Sequence, residues 1–125
     1  ILTKFKISDD EVFINGDYNR LKQVLVNIIK NSIESKKEDE KLKLTITTNQ
    51  EGNNYRITIK DNGIGMDKEE LNNIGKAFYT TKVKGTGLGV MLSKEIIELH
   101  DGNLIYSSNK NEGTCVDIIL PTIEI

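Results

Sequence analysis

Apolar residues alternate with polar ones along some stretches of the chain and recur every three to four positions along others. The first pattern is typical of half-buried strands and the second of amphipathic helices. Strands are predicted at 4–7, 11–14, 42–49, 55–61, 102–107 and 114–120, and helices at 18–37, 68–75 and 88–100. This order predicts an α+β fold, a two-layer α/β sandwich in which a mixed, mainly antiparallel sheet carries its helices on one face.

Two asparagines lie in the interior of the predicted long helix. Asn27 and Asn31 are four residues apart, so their side chains share one face beside the apolar stripe. Asparagine disfavours helix interiors, because its short amide competes for backbone hydrogen bonds. Amide oxygens suit Mg²⁺, which prefers oxygen donors and usually shares them with phosphates. Taken alone, however, the helix fits a solvated polar face better than a metal site.

A glycine-containing turn follows the predicted strand at 55–61. Its residues are Asp61, Asn62, Gly63, Ile64, Gly65 and Met66. A carboxylate at a strand end can accept a hydrogen bond from an exocyclic amine, and glycines allow close approach of the backbone to a ligand. An ordinary Asn-Gly turn leading to a helix is the alternative, with Asp67 as N-cap and Glu70 completing a capping box.

A second glycine-rich segment, 78–89, combines hydroxyls, two lysines and three glycines ahead of the third predicted helix. Backbone amides at a helix N-terminus attract anions, and a lysine adds charge. A Walker A loop is excluded, because Gly75 and Lys76 are followed by Ala77 instead of a hydroxyl residue. A dinucleotide fingerprint is excluded as well, because Val90 stands at its third glycine position. A flexible surface loop remains the alternative.

Composition limits the function classes. The 125 residues are 37% hydrophobic, enough for one globular domain, and 17 basic against 19 acidic residues give a net charge of −2. This balance argues against a nucleic-acid-binding surface. No apolar run approaches the roughly 18 residues of a membrane span. The single cysteine, Cys115, excludes an internal disulfide and fits a reducing compartment.

Taken together and in order, these motifs resemble the catalytic and ATP-binding domain of sensor histidine kinases. That domain has the Bergerat fold, which it shares with the gyrase, heat-shock chaperone and mismatch-repair ATPases. QVLVNIIKNSIES resembles the family's asparagine box, and DNGIGM its first glycine box. KAFYTTK resembles the phenylalanine box, and GTGLGVMLSKEIIELHDGNL the second glycine box with the helix and strand after it. The resemblance covers nearly the whole chain, although Ala77 and Val90 replace a frequent proline and leucine.

The resemblance implies ATP and Mg²⁺ as cofactors, with ATP between the helices and above the sheet. Asn31 would ligate Mg²⁺, and Asn27 would support the metal or the phosphates. Asp61 would accept the adenine amino group, with Thr114 helping through water, and Gly63 and Gly65 would let the backbone reach the base. Residues 78–88 would form a mobile lid over the phosphates. Its implied contacts are Thr80, Thr81, Lys82, Gly85, Thr86, Gly87 and Leu88, with Lys84 as an alternative to Lys82 for the positive charge.

One position separates transfer from hydrolysis within this resemblance. Hydrolytic relatives typically carry a water-activating glutamate four residues before the magnesium asparagine, where this chain has Asn27. An amide cannot act as a general base. The sequence therefore favours transfer of the γ-phosphoryl group. Two alternatives stay open, namely a nucleotide-binding regulatory module that transfers nothing and a hydrolytic ATPase.

The resemblance also implies partners. These kinases phosphorylate a histidine on a separate dimerising helical hairpin and act indirectly on a response regulator. His100, the only histidine, ends a predicted helix before Asp101 and Gly102, so we expect a structural role for it. We expect a cytoplasmic, monomeric domain that contacts neither membrane nor nucleic acid. It would be a fragment of a longer protein that could itself be membrane-bound.

Overall fold

A computed structural model of the chain describes residues 1–8, 11–76 and 89–124. In chain order the elements are β1 Leu2–Lys6, α1 Tyr18–Glu34, β2 Lys43–Glu51, β3 Asn54–Asp61, α2 Lys68–Asn73, α3 Gly89–Leu99, β4 Asn103–Asn109 and β5 Gly113–Pro121. The strands form one sheet in the order β1-β2-β3-β5-β4. β1 and β2 are parallel and the other three pairs are antiparallel, which confirms the predicted mixed, mainly antiparallel sheet.

The hydrophobic core lies between the sheet and two of the helices. α1 contributes Val24 and Ile28, α3 contributes Ile96 and Ile97, and the sheet contributes Leu44, Ile59, Val116, Ile118 and Leu120. In each strand these residues occupy alternate positions, so one face of the sheet is buried and the other is only partly covered. The predicted two-layer arrangement is confirmed, and α1 packs against β3 at the centre of the sheet.

The outer face of the sheet carries a polar network. The guanidinium of Arg56 pairs with Glu51 and, through Nη1, with Asp117 Oδ1 at 3.2 Å. Thr58 Oγ1 also donates to Asp117 Oδ1, at 2.6 Å. Hydrogen bonds to the two carboxylates raise the pKa of Arg56. Cys115 lies on the same face, where burial raises the pKa of its thiol. This face therefore differs from the helix-covered face, on which the glycine-containing turn begins.

The ends of the helices depend on specific side chains. Asp17 caps α1 by accepting a hydrogen bond from the Arg20 amide. Asp67 and Glu70 form the predicted capping box at α2. α3 ends at Asp101 and Gly102 in a Schellman motif, in which Gly102 N–H donates to Ile97 O and Asp101, at φ 61°, takes the left-handed position. No helix of the described ranges is long and apolar enough to cross a membrane.

His100 joins the end of α3 to the start of α1. Its Nδ1 lies 2.7 Å from Ile96 O, and its Nε2 accepts the Asp17 amide hydrogen at 3.0 Å. A ring that donates from Nδ1 and accepts at Nε2 uses both nitrogens within the fold. His100 thus has the structural position expected of it.

The strand predicted at 11–14 is absent. Only one antiparallel bridge forms there, between Phe13 and Ile123. Its partner, Ile123, lies two residues beyond Pro121, at which β5 ends. The segment therefore meets the chain after β5 at a single position and does not extend either edge of the sheet, β1 or β4. The other differences are boundary shifts; α1, for example, ends at Glu34 because the Ser35 hydroxyl donates to Ser32 O.

Tyr106 contains a buried hydroxyl that has no hydrogen-bond partner among the described residues. Desolvation raises its pKa to about 12 from the ordinary 10.0. Burial disfavours the ionised form of Tyr106 in the folded state. The stability that the neutral side chain contributes is therefore fully present below pH 10 and is lost as the pH rises through 12. An unpaired buried hydroxyl is also costly at neutral pH.

We therefore expect Tyr106→Phe to be at least as stable as the wild type at pH 7. Between pH 8 and pH 11 the wild type should lose about 1 kcal/mol relative to the variant. Urea unfolding at several pH values measures both effects. Tyr18→Phe, at a side chain that is 75% exposed, is the control and should follow the wild type. Destabilisation of Tyr106→Phe at pH 7 would mean that the hydroxyl has a partner in solution.

Candidate functional site

α1 carries the two predicted asparagines beside its buried stripe. Val24, Ile28 and Ser32 face the core, while Asn27 and Asn31 are half-buried on the flank of the helix. The four-residue spacing places both amides on one side of α1, as predicted. They are therefore neither free surface residues nor core residues, which is the position required of side chains at the wall of a cleft.

Asn27 faces α3. Its Nδ2 donates to the hydroxyl of Ser93 at 3.1 Å, and Ser93 is only 3% exposed. The side-chain amide also lies against Gly89, at the beginning of α3. The sequence pattern indicated a shared face for the two asparagines and did not indicate this contact with α3.

Asp61 ends β3 in a buried position, with 4% of its surface exposed. Its Oδ1 accepts two backbone hydrogens, from Gly63 at 2.9 Å and from Thr114 at 3.2 Å. No described residue donates to Oδ2. The carboxylate is thus held by one oxygen, and its second oxygen has acceptor capacity left.

The turn after Asp61 is held between α1 and the hairpin of β4 and β5. Ile64 N–H donates to Ser35 O at 2.8 Å, and Ile64 O accepts from Asn111 N–H at 2.6 Å. The Asn62 side chain accepts from Lys43 N–H, at the start of β2, and donates to Lys41 O, just ahead of that strand. The turn is therefore held in place by hydrogen bonds to several other elements and is more than a connection to α2.

The two predicted glycines of this turn have a packing reason. A Cβ on Gly63 would lie 2.2 Å from the Ser35 hydroxyl. Gly65 has φ +67°, and a Cβ there would lie 2.0 Å from Asn109 O. The atoms that crowd both glycines belong to the protein, so close approach of backbone to backbone requires these glycines even without a ligand.

Thr114 belongs to a second group of contacts, centred on Ser108 of β4. The Ser108 hydroxyl accepts from Met66 N–H at 2.8 Å, donates to Gly113 O at 2.9 Å and lies 2.9 Å from Thr114 Oγ1. Sequence reasoning missed Ser108. Its signal was available, because it alternates with Leu104 and Tyr106 on the helix-facing side of a hairpin whose register pairs it with Thr114.

These contacts place the predicted residues in an ordered row along α1. Asp61 and Thr114 lie near the C-terminal end of α1, because Gly63, which donates to Asp61, packs against Ser35. Asn31 lies one turn earlier in α1, and Asn27 lies one turn before Asn31. Eight residues of helix separate Asn27 from Ser35, or roughly 12 Å. The implied contacts at Thr80, Thr81, Lys82, Gly85, Thr86, Gly87 and Leu88, and the alternative Lys84, lie outside the described residues.

A groove of about 410 Å³ opens at the Asn27 end of this row, between α1 and α3. Lys22, Gln23 and Lys30 line it from α1, together with Asn27, and Gly89 and Ser93 line it from α3. Two lysines and the N-terminus of a helix give this end of the row a positive character. A buried carboxylate at one end and a basic groove at the other are suited to a ligand with an amino group and an anionic tail.

Residues 16–124 match the family model described as histidine kinase-, DNA gyrase B- and HSP90-like ATPase. Sporulation kinase A of Bacillus subtilis (strain 168) is 40% identical over 121 residues, 97% of this chain and 20% of that protein. Sporulation kinase C of the same organism is 45% identical over 112 residues, 90% of this chain and 26% of that protein. The chain thus spans about a fifth to a quarter of the length of these curated relatives.

The fold agrees with a solved structure. The nucleotide-free catalytic domain of the histidine kinase ThkA superposes with a TM-score of 0.82 at 30% identity, covering 96% of this chain and 78% of that one. Fold and site thus define a nucleotide-binding α+β domain of the ATPase class. The chain belongs to the family of histidine kinase-, DNA gyrase B- and HSP90-like ATPases.

Proposed function

We propose that this chain is the catalytic and ATP-binding domain of a sensor histidine kinase. It binds Mg-ATP and transfers the γ-phosphoryl group to a histidine on a separate dimerisation hairpin, within a two-component signalling system. The observation that carries the choice of transfer is Asn27. An amide bonded to the buried Ser93 hydroxyl occupies the position where the resemblance places a water-activating carboxylate in hydrolytic ATPases. The similarity to two sporulation kinases supports the same choice.

Adenine is proposed to bind at Asp61. Oδ2 of this carboxylate accepts the exocyclic amino group, while Oδ1 stays bonded to the Gly63 and Thr114 amides. Thr114 Oγ1 is positioned by Ser108 and assists through water. A charged acceptor at a buried site discriminates strongly, because a base that presents a carbonyl there would leave the carboxylate unpaired.

Magnesium fits the chemistry of the α1 flank. The two half-buried amides carry hard oxygen atoms, and Asn27 is held in place by its hydrogen bond to Ser93. Asn31 would ligate the ion and Asn27 would support it or the phosphates. When bound, Mg²⁺ would supply compensation of charge on the phosphates.

The residues of the chain then orient the nucleotide. The buried Asp61 end fixes the base, and the row along α1 directs the phosphates toward the groove lined by Lys22 and Lys30. Positioning and charge compensation are most of what phosphoryl transfer requires of a protein. The nucleophilic nitrogen comes from the acceptor histidine, a response regulator follows indirectly, and the domain works in the cytoplasm.

The proposal predicts three results for the isolated chain supplied with γ-labelled ATP. It should not label itself, it should hydrolyse ATP very slowly, and it should label a separately added cognate histidine hairpin. Acid-labile radiolabel on the hairpin, read as phosphohistidine, is the measurement. A hairpin whose histidine is replaced by glutamine is the control. Brisk hydrolysis without transfer would favour an ATPase, and nucleotide binding with neither activity would favour a regulatory module.

A further inference from the structure

The first two turns of α3 form a seat for the side chain of Asn27. Gly89 and Ser93 are four residues apart and therefore lie on one face of α3. Ser93 accepts a hydrogen from Asn27 Nδ2 at 3.1 Å. A Cβ added at Gly89 would lie 2.7 Å from Asn27 Oδ1 and 3.1 Å from Nδ2. One residue thus bonds the amide, and the other leaves the space that the amide occupies.

This seat fixes where the amide lies. Ser93 is only 3% exposed, so its hydroxyl offers a partner that is shielded from water. A serine hydroxyl can accept from Nδ2 or donate to Oδ1, so either orientation of the amide keeps a hydrogen bond to it. Moving the amide away from α3 would break that bond in a buried position, which is unfavourable.

We propose that Ser93 and Gly89 are positioning residues that hold the Asn27 carboxamide at a fixed place against α3. They act on Mg-ATP only through Asn27, and this consequence rests on the proposed function. The seat itself is independent of any ligand. Neither residue was singled out for this role by the motifs, because the contact joins two helices that are 66 residues apart in the chain.

Two variants separate this role from a purely structural one. Ser93→Ala removes the hydroxyl and frees the amide. Gly89→Ala pushes the amide out of its seat, because the far end of a flexible side chain gives way more easily than backbone. Gly89 is the first residue of α3, and alanine is the better helix former, which offsets part of the cost of the lost hydrogen bond to Ser93, so the Tm of this variant should stay close to that of the wild type. A binding defect in Gly89→Ala at an unchanged Tm therefore cannot come from lost stability.

The first measurement needs no nucleotide. In ¹⁵N–¹H correlation spectra of the chain, the side-chain amide pair of Asn27 is assigned by its absence from Asn27→Ala. Both Ser93→Ala and Gly89→Ala should shift that pair and speed its hydrogen exchange. Ser32→Ala removes a hydroxyl from another buried serine, 4% exposed, and should leave the pair unmoved. An unshifted pair in both test variants would overturn the proposed seat.

The second measurement is calorimetric titration with a hydrolysis-resistant ATP analogue, with Mg²⁺ and with EDTA. With Mg²⁺, each variant should bind roughly three- to tenfold more weakly than the wild type, as expected for one lost hydrogen bond. With EDTA the difference should stay below about twofold, since the metal is absent. Equal weakening in both conditions would overturn the action through Asn27 on the metal.

A double-mutant cycle completes the test. In the Asn27→Ala background, Ser93→Ala and Gly89→Ala should each change affinity by less than about twofold, because their target is gone. Full effects in that background would show that the two residues act elsewhere. If the wild type bound no nucleotide at all, the proposed function would fail, and the spectra would still decide whether Ser93 and Gly89 hold Asn27.

Discussion

Asn31→Ala is expected to lower phosphoryl transfer to a histidine hairpin by roughly 100- to 1,000-fold while ATP affinity falls by less than about tenfold. The reason is that a magnesium ligand matters most where charge is redistributed, which is in the transition state. The proposed base contact at Asp61 is a separate interaction, about one turn further along α1, and should persist. Alanine is a better helix former than asparagine, so α1 should not unfold.

The measurement is initial-rate transfer of label from γ-labelled ATP at saturating nucleotide, beside calorimetric affinities. Asn49→Ala is the matched control, because Asn49 is an exposed asparagine of β2 on the outer face of the sheet. It should leave both quantities unchanged. Parallel losses of affinity and rate in Asn31→Ala would mean that this residue only binds nucleotide and has no special part in transfer.

Local patterns were sufficient to predict most of the fold. Tyr55, Ile57 and Ile59 alternate with Arg56, Thr58 and Lys60, and this alternation became β3 at the centre of the sheet. The same holds for the capping box of α2, because Asp67 and Glu70 interact within a single turn. Such features depend on neighbours in sequence, so the sequence contains the information needed to predict them.

Contacts between distant segments were not predictable in this way. The bridge from Phe13 to Ile123 replaced an expected strand, because pairing depends on which distant segment lies alongside. The packing reason for Gly63 lies in Ser35, and that for Gly65 lies in Asn109, on two different elements. A glycine in a motif indicates that space is needed, but the sequence does not say whether protein or ligand fills that space.

The residues of the candidate site likewise divide into those that the sequence predicted and those that only the structure identifies. The resemblance supplied Asn27, Asn31, Asp61 and Thr114, and their roles toward ATP stay predictions. The structure adds the residues that hold them, Ser93 for Asn27 and Ser108 for Thr114. Both are serines whose hydroxyls serve a partner from another element. Short hydroxyl side chains carry no sequence signature of their own, so only register or packing identifies them.

Asp61→Asn is expected to weaken ATP binding by about 10- to 100-fold, which corresponds to the loss of roughly 1.5–3 kcal/mol for a hydrogen bond to a charged group. The substitution is nearly isosteric, and the oxygen of an asparagine at this position can still accept the Gly63 and Thr114 amide hydrogens. The fold should therefore persist. Its NH₂ group then takes the place of Oδ2 and faces the adenine amino group, so that two donors meet and neither has an acceptor.

The same reversal should change base preference. A base that presents a carbonyl oxygen at that position gains a donor from the new NH₂ group, so the ratio of ATP affinity to GTP affinity should fall. Calorimetric titration of both nucleotides against wild type and variant measures the ratio. Asp117→Asn, on the outer face of the sheet, is the control and should leave the ratio unchanged. If Asp61→Asn keeps wild-type affinity for ATP, adenine is not recognised by Asp61, and the base must lie elsewhere along α1.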